Sequence, residues 1–273
     1  MIRNALAEDV GPGDATTVAI VPAEAVASAF IVTREPLVVC GLPLAQAVFR
    51  EISTALNLAP VAADGQRVAK GAVLLKIDGP ARGILTGERV ALNFMQRLSG
   101  VATLTAYFVE AVAGTGAQIL DTRKTTPGWR HLEKYAVQCG GGVNHRIGLF
   151  DRILIKDNHL AALREEKPNA IAAAVQRARA QFPQLTVEVE ADTLEQVTQA
   201  CEAGADVILL DNMSNQELRA AVRIVDGQAK TEASGGVTLA TVRGIAETGV
   251  NFISVGALTH SAPAVDIALD FRT

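Results

Sequence analysis

Cysteine is scarce: Cys40, Cys139 and Cys201 are the only three thiols. They are far apart, odd in number and without a CxxC spacing, which argues against both a disulfide framework and a thiolate metal centre. Cys40 and Cys201 are expected as small core residues. Long apolar runs are lacking as well. None reaches the roughly 18 residues a bilayer span needs, and Met1 leads into a polar, acidic segment rather than a secretory core, so a cytoplasmic protein is expected. Positive charge is not in excess. With a net charge of −4, the chain has no global field to gather nucleic acid or an anionic membrane, and any anion site must be local.

What is present is an ordinary globular composition. The 273 residues are 49% apolar and 20% charged, enough for one large domain or two smaller ones. Up to about residue 100 no repeat is visible. Residues 64–85, DGQRVAKGAVLLKIDGPARGIL, alternate apolar runs with glycine turns and are expected as antiparallel hairpins. A swinging-arm module with Lys70 as acceptor does not fit, because Lys70 precedes Gly71 instead of occupying an acidic hairpin tip. From Thr86, the spacing of Val90, Phe94, Met95, Leu98, Val101 and Leu104 predicts one or two amphipathic helices, with Gly100 as the joint.

After about residue 116 the pattern becomes a series of short β-branched strands, each followed by a loop and a helical segment. The strands are QIL before Asp121, RILI before Lys156, LTVEV before Glu190, DVILL before Asp211, KTEA before Ser234 and NFISV before Gly256. Asp192 with Glu195 and Ser214 with Glu217 have capping-box spacing, while Gly204, Gly227 and Gly249 stand where helices should end. Glu190, Asp211, Ser234 and Gly256 recur every 21 to 23 residues. That period is one strand plus one helix, which predicts a βα array closing into a barrel.

In such a barrel the carboxyl ends of the strands form the site. Residues 121–159 concentrate Arg123, Lys124, Arg130, Lys134, Arg146, Arg152 and Lys156, with His131, His145 and His159. The cluster suits a small polyanion, since arginine offers a planar fork and lysine a movable point charge. A solvated basic face is the alternative, which the run CGGGVNHR (139–146) weakens by setting His145 and Arg146 on a tight backbone path. Glu190 and Asp211 are single carboxylates at successive strand ends, suited to Mg²⁺ held partly by substrate phosphate; strand-end pairing with a lysine is the alternative. ASGGVT (233–238) and SVGALTHS (254–261) are glycine-bearing turns that can form anion nests. Together these features imply a phosphorylated, Mg²⁺-chelating substrate beside a small carboxylated one.

The stretches LAEDVGPGDATT (6–17), TGERVALNFMQRLSGVAT (86–103), DTRKTTPGWRHLEKYAVQCGGGVNHRIGLFDRILIKDNH (121–159), VEVEAD (187–192), ILLDNM (208–213), EASGGV (232–237) and VGALTHS (255–261) resemble the quinolinate phosphoribosyltransferase family over nearly the whole chain. The resemblance implies an N-terminal α/β sandwich (1–100) and an open, seven-stranded α/β barrel (101–261), the type II phosphoribosyltransferase fold, with a C-terminal helix (262–273) returning to the first domain. It implies condensation of quinolinate with phosphoribosyl pyrophosphate, giving nicotinate mononucleotide, pyrophosphate and CO₂. Thr122, Arg123, Lys124, His145, Arg146 and Lys156 would bind the carboxylates and nearby phosphate. Glu190 and Asp211 would hold Mg²⁺, partly through phosphate and water, and the ribose hydroxyls. Lys124, Lys156, Glu190 and Asp211 would form the catalytic set, and Ser234, Gly235, Gly236, Val255, Gly256 and Ala257 the phosphate loops. Arg89 would reach into a neighbouring subunit's site, making a homodimer the minimum unit, with higher oligomers open. No protein nucleophile is needed; Cys139 is the one candidate, and no base can be assigned to it. Trp129 replaces an expected smaller apolar residue, and the segment before LAEDVG is short for the family. Two rival readings are a molybdate-transport-associated relative and a non-catalytic barrel that binds a phosphorylated metabolite.

Overall fold

The computed structural model describes residues 1–272 and divides into two compact units, one of residues 1–106, 135–141 and 262–273, the other of residues 107–134 and 142–261.

The first unit begins with α1 (Ile2–Val10) and α2 (Ala15–Ile20), followed by β1 (Val26–Thr33), β2 (Leu37–Val38), α3 (Leu42–Ile52), β3 (Asn57–Pro60), β4 (Arg67–Val68), β5 (Val73–Pro80) and α4 (Ala81–Ala111), whose last residues pass into the second unit. Asp14 caps α2 by accepting from Thr17 N at 2.9 Å. β5 runs antiparallel between β1 and β3, and β4 pairs with β2. The hairpins expected over 64–85 are therefore not formed. After β4 the chain docks on the end of β1, with Gly71 N donating to Thr33 O at 2.8 Å and Thr33 N to Ala72 O at 3.1 Å, so β5 continues away from β4. Residues 81–85 already belong to α4.

α4 is continuous through Gly100, which is not a joint. A Cβ at Gly100 would collide with the Pro263 carbonyl, so the glycine permits close approach of the C-terminal segment.

The second unit contains β6 (Gln118–Leu120), α5 (Arg130–Cys139, whose last five residues count with the first unit), β7 (Ile153–Ile155), α6 (Asp157–Ala161), α7 (Ala170–Gln181), β8 (Val187–Ala191), α8 (Leu194–Glu202), β9 (Val207–Asp211), α9 (Asn215–Val225), β10 (Lys230–Ser234), α10 (Val242–Ala246), β11 (Phe252–Ser254) and α11 (Ala257–His260). All six expected strands are present, forming a parallel sheet in the order β6-β11-β10-β9-β8-β7. A seventh position is reduced to one parallel bridge between Val143 and Leu120 on the free side of β6. Among the described residues β6 and β7 do not pair with each other, so the barrel is open there.

Strand periodicity sets what faces the interior. In β8, Val187, Val189 and Ala191 are fully buried on one face, which leaves Glu188 and Glu190 on the other. The box Ser214–Glu217 caps α9 as expected. At α8 the cap is Thr193 with Gln196 rather than Asp192 with Glu195, because the Gln196 side chain reaches back to the N–H groups of Asp192 (2.7 Å) and Thr193 (3.2 Å).

The C-terminal residues return to the first unit as a strand, not a helix. β12 (Ile267–Phe271) pairs antiparallel with β1. Gln96 and Arg97 of α4 fix the approach by donating to Ile267 O (2.8 Å) and Ala262 O (2.6 Å), and the latter carbonyl precedes a proline that disfavours helix.

Replacing Gly100 with alanine should therefore displace the segment leading to β12 and cost about 1–3 kcal/mol, seen as a lower unfolding temperature. Gly244→Ala, where a Cβ meets only the end of the Asn215 side chain at 3.1 Å, should be nearly neutral. Equal effects would remove the close-approach explanation.

Candidate active site

The carboxyl ends of the barrel strands surround a cavity of about 590 Å³. Thr122, Arg123, Lys124, His145, Arg146, Lys156, Glu190, Asp211, Ser234, Gly235 and Gly236 of the expected set all line it. Four others do not. Arg89 is exposed on α4 in the first unit, and Val255, Gly256 and Ala257 stand outside the lining, with Ser254 in their place. Gly256 acts one layer back: a Cβ there would press on Lys124 Cδ at 3.0 Å, and Thr259 holds the Lys124 carbonyl at 2.7 Å. Sequence reasoning missed Leu154, Leu209, Asn212, Glu232 and Ser254.

Beneath the cavity lies a buried polar network centred on Asp121. Its carboxylate takes the Lys134 ammonium, His145 N at 2.8 Å and Asn144 Nδ2 at 2.6 Å, while Lys134 also donates to His145 O at 2.9 Å. Burial pushes the Asp121 carboxyl up and the Lys134 ammonium down, each against the attraction of the other. The pair pins the NHR segment to the end of β6.

His145 continues the network inward. Its Nε2 is 3.0 Å from Glu188 Oε2 and 3.5 Å from Glu232 Oε2, and its Nδ1 accepts from Arg146 N at 2.7 Å. Burial opposes a charged ring, yet the hydrogen bonds and charges of the two carboxylates outweigh it and raise the imidazole to about 9. The Arg146 N–H nevertheless requires a bare Nδ1, which makes Nε2 the protonated nitrogen. Of the two carboxylates, Glu232 is raised by burial, whereas Glu188 is lowered against burial by His145 and by Arg152 at 3.4 Å. With both ring nitrogens engaged, His145 orients Arg146 instead of offering a free nitrogen to a ligand. Glu188 and Glu232 could have been noticed as charges in the middle of otherwise buried strands.

Arginines crowd the cationic side of the cavity. Arg123 Nε is buried and without a hydrogen-bond partner. Arg146 is held below its ordinary value by burial and then by the nearby Arg123 charge. Such crowding favours an anion between the two guanidinium groups. Arg130 is no part of this set. It braces the loop by donating to Thr125 Oγ1 and to Ile147 O, both at 3.0 Å, and the half-buried Trp129 lies in the turn just before α5.

The acidic side consists of Glu190, ion-paired with Lys156, and Asp211, which accepts from Asn212 Nδ2 at 2.6 Å. Asn212 adopts a left-handed φ of 54°, and a Cβ at Gly235 (φ 97°) would collide with its side chain. At Gly236 a Cβ would meet only open space, but its φ of 59° favours glycine. The sheet order separates the two chemistries. Cationic groups follow β6, the Val143 bridge and β7, next to the open seam, whereas carboxylates and the glycine turn follow β8, β9 and β10.

Two family models match the chain: the N-terminal domain of quinolinate phosphoribosyl transferase over residues 14–99 and its C-terminal domain over residues 101–270. The carboxylating nicotinate-nucleotide pyrophosphorylase of Mycobacterium leprae is 45% identical over 275 residues, covering 98% of this chain and 95% of that protein. A probable enzyme of the same name from Bacillus subtilis is 42% identical, covering 99% and 92%. Among solved structures, the nicotinate-nucleotide pyrophosphorylase of Francisella tularensis superposes with a TM-score of 0.93 at 40% identity, covering 99% of this chain and 94% of that one. The Ehrlichia chaffeensis protein gives 0.93 at 42%, covering 99% and 97%. The sandwich-plus-open-barrel architecture is thus the one these proteins share.

Asp121→Asn should strand the Lys134 ammonium and cost about 3–5 kcal/mol, measured by urea unfolding. Combining it with Lys134→Met should restore much of the loss, since the uncompensated charge is then gone. Simple addition of the two single effects would show that the pair is not coupled.

Proposed function

The chain belongs to the quinolinate phosphoribosyltransferase family, and from that premise we infer that it joins quinolinate to phosphoribosyl pyrophosphate, releasing pyrophosphate and CO₂ and yielding nicotinate mononucleotide for NAD synthesis. The observation that carries this reading is the segregated cavity, cationic by the open seam and acidic with a glycine turn beyond it.

In this reading Arg123 and Arg146 grip the two carboxylates of quinolinate, with Lys124 and Lys156 supplying charge toward carboxylate and phosphate and Thr122 a hydroxyl. The unpartnered Arg123 Nε supports the assignment. His145 serves through Arg146. The Lys156–Glu190 pair keeps both side chains extended into the cavity before substrate arrives. Ser234, Gly235 and Gly236 offer a hydroxyl and backbone N–H groups to phosphate, and Val255, Gly256 and Ala257 support that side from behind Lys124.

Bond formation at the ribose passes through an oxocarbenium-like centre, which Glu190 and Asp211 stabilise by their negative charge. The ring nitrogen becomes cationic once ribosylated, so the electron pair left by CO₂ can be held in the ring. The protein's part is orientation and charge, without a nucleophile. Glu190 and Asp211 form an oxygen-only donor set that fits Mg²⁺ completed by phosphate and water, and the ion when bound would neutralise the departing pyrophosphate. We further propose a homodimer in which Arg89 completes the partner's site. A cytoplasmic location accords with the described residues, among which no helix is long and apolar enough to cross a membrane.

Purified protein supplied with Mg²⁺, phosphoribosyl pyrophosphate and quinolinate should release nicotinate mononucleotide and CO₂; turnover of nicotinate in place of quinolinate would refute the assignment. Arg123→Ala should lower kcat/KM for quinolinate by about ten- to a hundredfold, the worth of roughly 1.5–3 kcal/mol of charged hydrogen bonding. Mixing inactive Arg89→Ala and Lys156→Ala proteins should restore part of the activity once subunits exchange. No recovery after verified exchange would rule out a shared site.

A further inference from the structure

Away from the cavity, the first unit holds a second cluster of reactive groups that the proposed reaction does not use. Cys40 precedes α3, Cys139 ends α5, and their sulfur atoms and an Asp64 carboxylate oxygen all lie within 4.8 Å of one another. We propose that Cys40 and Cys139 form a modification site, a thiol pair that hydrogen peroxide converts reversibly to a disulfide.

The surroundings favour thiol chemistry over a metal. Asp64 is already committed, accepting from Gly41 N and Leu42 N at 3.0 Å each, where it caps α3, and from Tyr135 Oη at 3.0 Å. Few of its lone pairs remain for a cation. Both cysteine backbones are anchored side by side. Ser99 of α4 accepts from Cys40 N at 2.9 Å and donates to Cys40 O at 3.0 Å. Gly140 lies so close to α4 that a Cβ would collide with the Ala102 carbonyl, and the Gly65 Cβ position is 3.6 Å from Cys139 O.

The two sulfurs have unequal roles. Cys139 is partly exposed, and the neighbouring Cys40 thiol, opposed by burial, holds it below its ordinary value; Cys40 is fully buried and raised. Cys139 is therefore the sulfur that meets peroxide. Its thiolate attacks the O–O bond, forming a sulfenic acid as hydroxide leaves. The Cys40 sulfur then attacks Cys139, the S–S bond forms, the S–O bond breaks, and the departing oxygen takes the Cys40 proton as water. The thiols lose two electrons and the peroxide is reduced to water. Cys201 is also a free thiol, outside the Cys40–Asp64–Cys139 cluster, and serves as an internal control.

The covalent link would fix the start of the glycine run that leads to Asn144, His145 and Arg146, so oxidation should slow the proposed reaction several-fold. The test uses the full chain. After hydrogen peroxide, alkylation with iodoacetamide under denaturing, non-reducing conditions and mass spectrometry should reveal a Cys40–Cys139 peptide two hydrogens lighter, with Cys201 alkylated. Dithiothreitol should restore both thiols and rate. Cys40→Ser should retain basal activity and stop at a sulfenic acid on Cys139 that dimedone captures. If that variant does not fold, the wild-type peptide map decides alone. Full alkylation of both thiols after peroxide, or over-oxidation of Cys139 without a cross-link, would overturn the site. A cross-link with unchanged rate would overturn its control of the reaction. The mass measurement needs no turnover, so its failure is distinct from failure of the functional reading.

Discussion

The buried Asp121 carboxylate is the constraint from which the site is built. A charge removed from water must find partners, and here the partners come from three places in the chain: Lys134 in α5, Asn144, and the backbone of His145. Satisfying one carboxylate therefore fixes the end of β6, a helix and the loop that carries Arg146. A second buried set, His145 with Glu188 and Glu232, extends the same logic toward β8 and β10. The cationic loop is held by supporting polar groups that have few other ways to be satisfied.

The sheet order then distributes function. Because β6 and β7 are the two ends of an open sheet, the loops after them, with the bridge at Val143, gather at the seam although their strands are far apart in sheet order. Phosphate-type turns and carboxylates follow the inner strands. The proposed ribosyl donor and acceptor would thus approach from distinguishable sides, with the reacting nitrogen and anomeric carbon between them.

Much of this was legible in the sequence because barrel strands repeat. QIL, RILI and DVILL are short apolar runs followed by polar groups, and every one of them is a strand. Eleven of the expected ligand positions line one cavity for the same reason. The failures were non-local. Gly100 resembles a helix joint until Pro263 is found against it; residues 267–271 have strand character only once β1 supplies a partner; Glu188 and Glu232 acquire meaning only when His145 arrives between them. Arg130, one of the cations of the 121–159 cluster, donates to one hydroxyl and one carbonyl that no local pattern announces. The capping box at α8 moved by one residue because glutamine serves the role as well as glutamate.

The buried, unpartnered Arg123 Nε has a consequence for discrimination. On the proposed assignment, the cavity bears the desolvation of one guanidinium N–H that has no partner, so a ligand bringing the second carboxylate satisfies a group that a single-carboxylate analogue would leave unpaired. Selectivity of this kind arises from what the wrong ligand fails to repair, not from a clash that expels it. A protein arranged in this way rejects the close relatives of its substrate without a shape filter, and it holds that preference before any substrate has arrived.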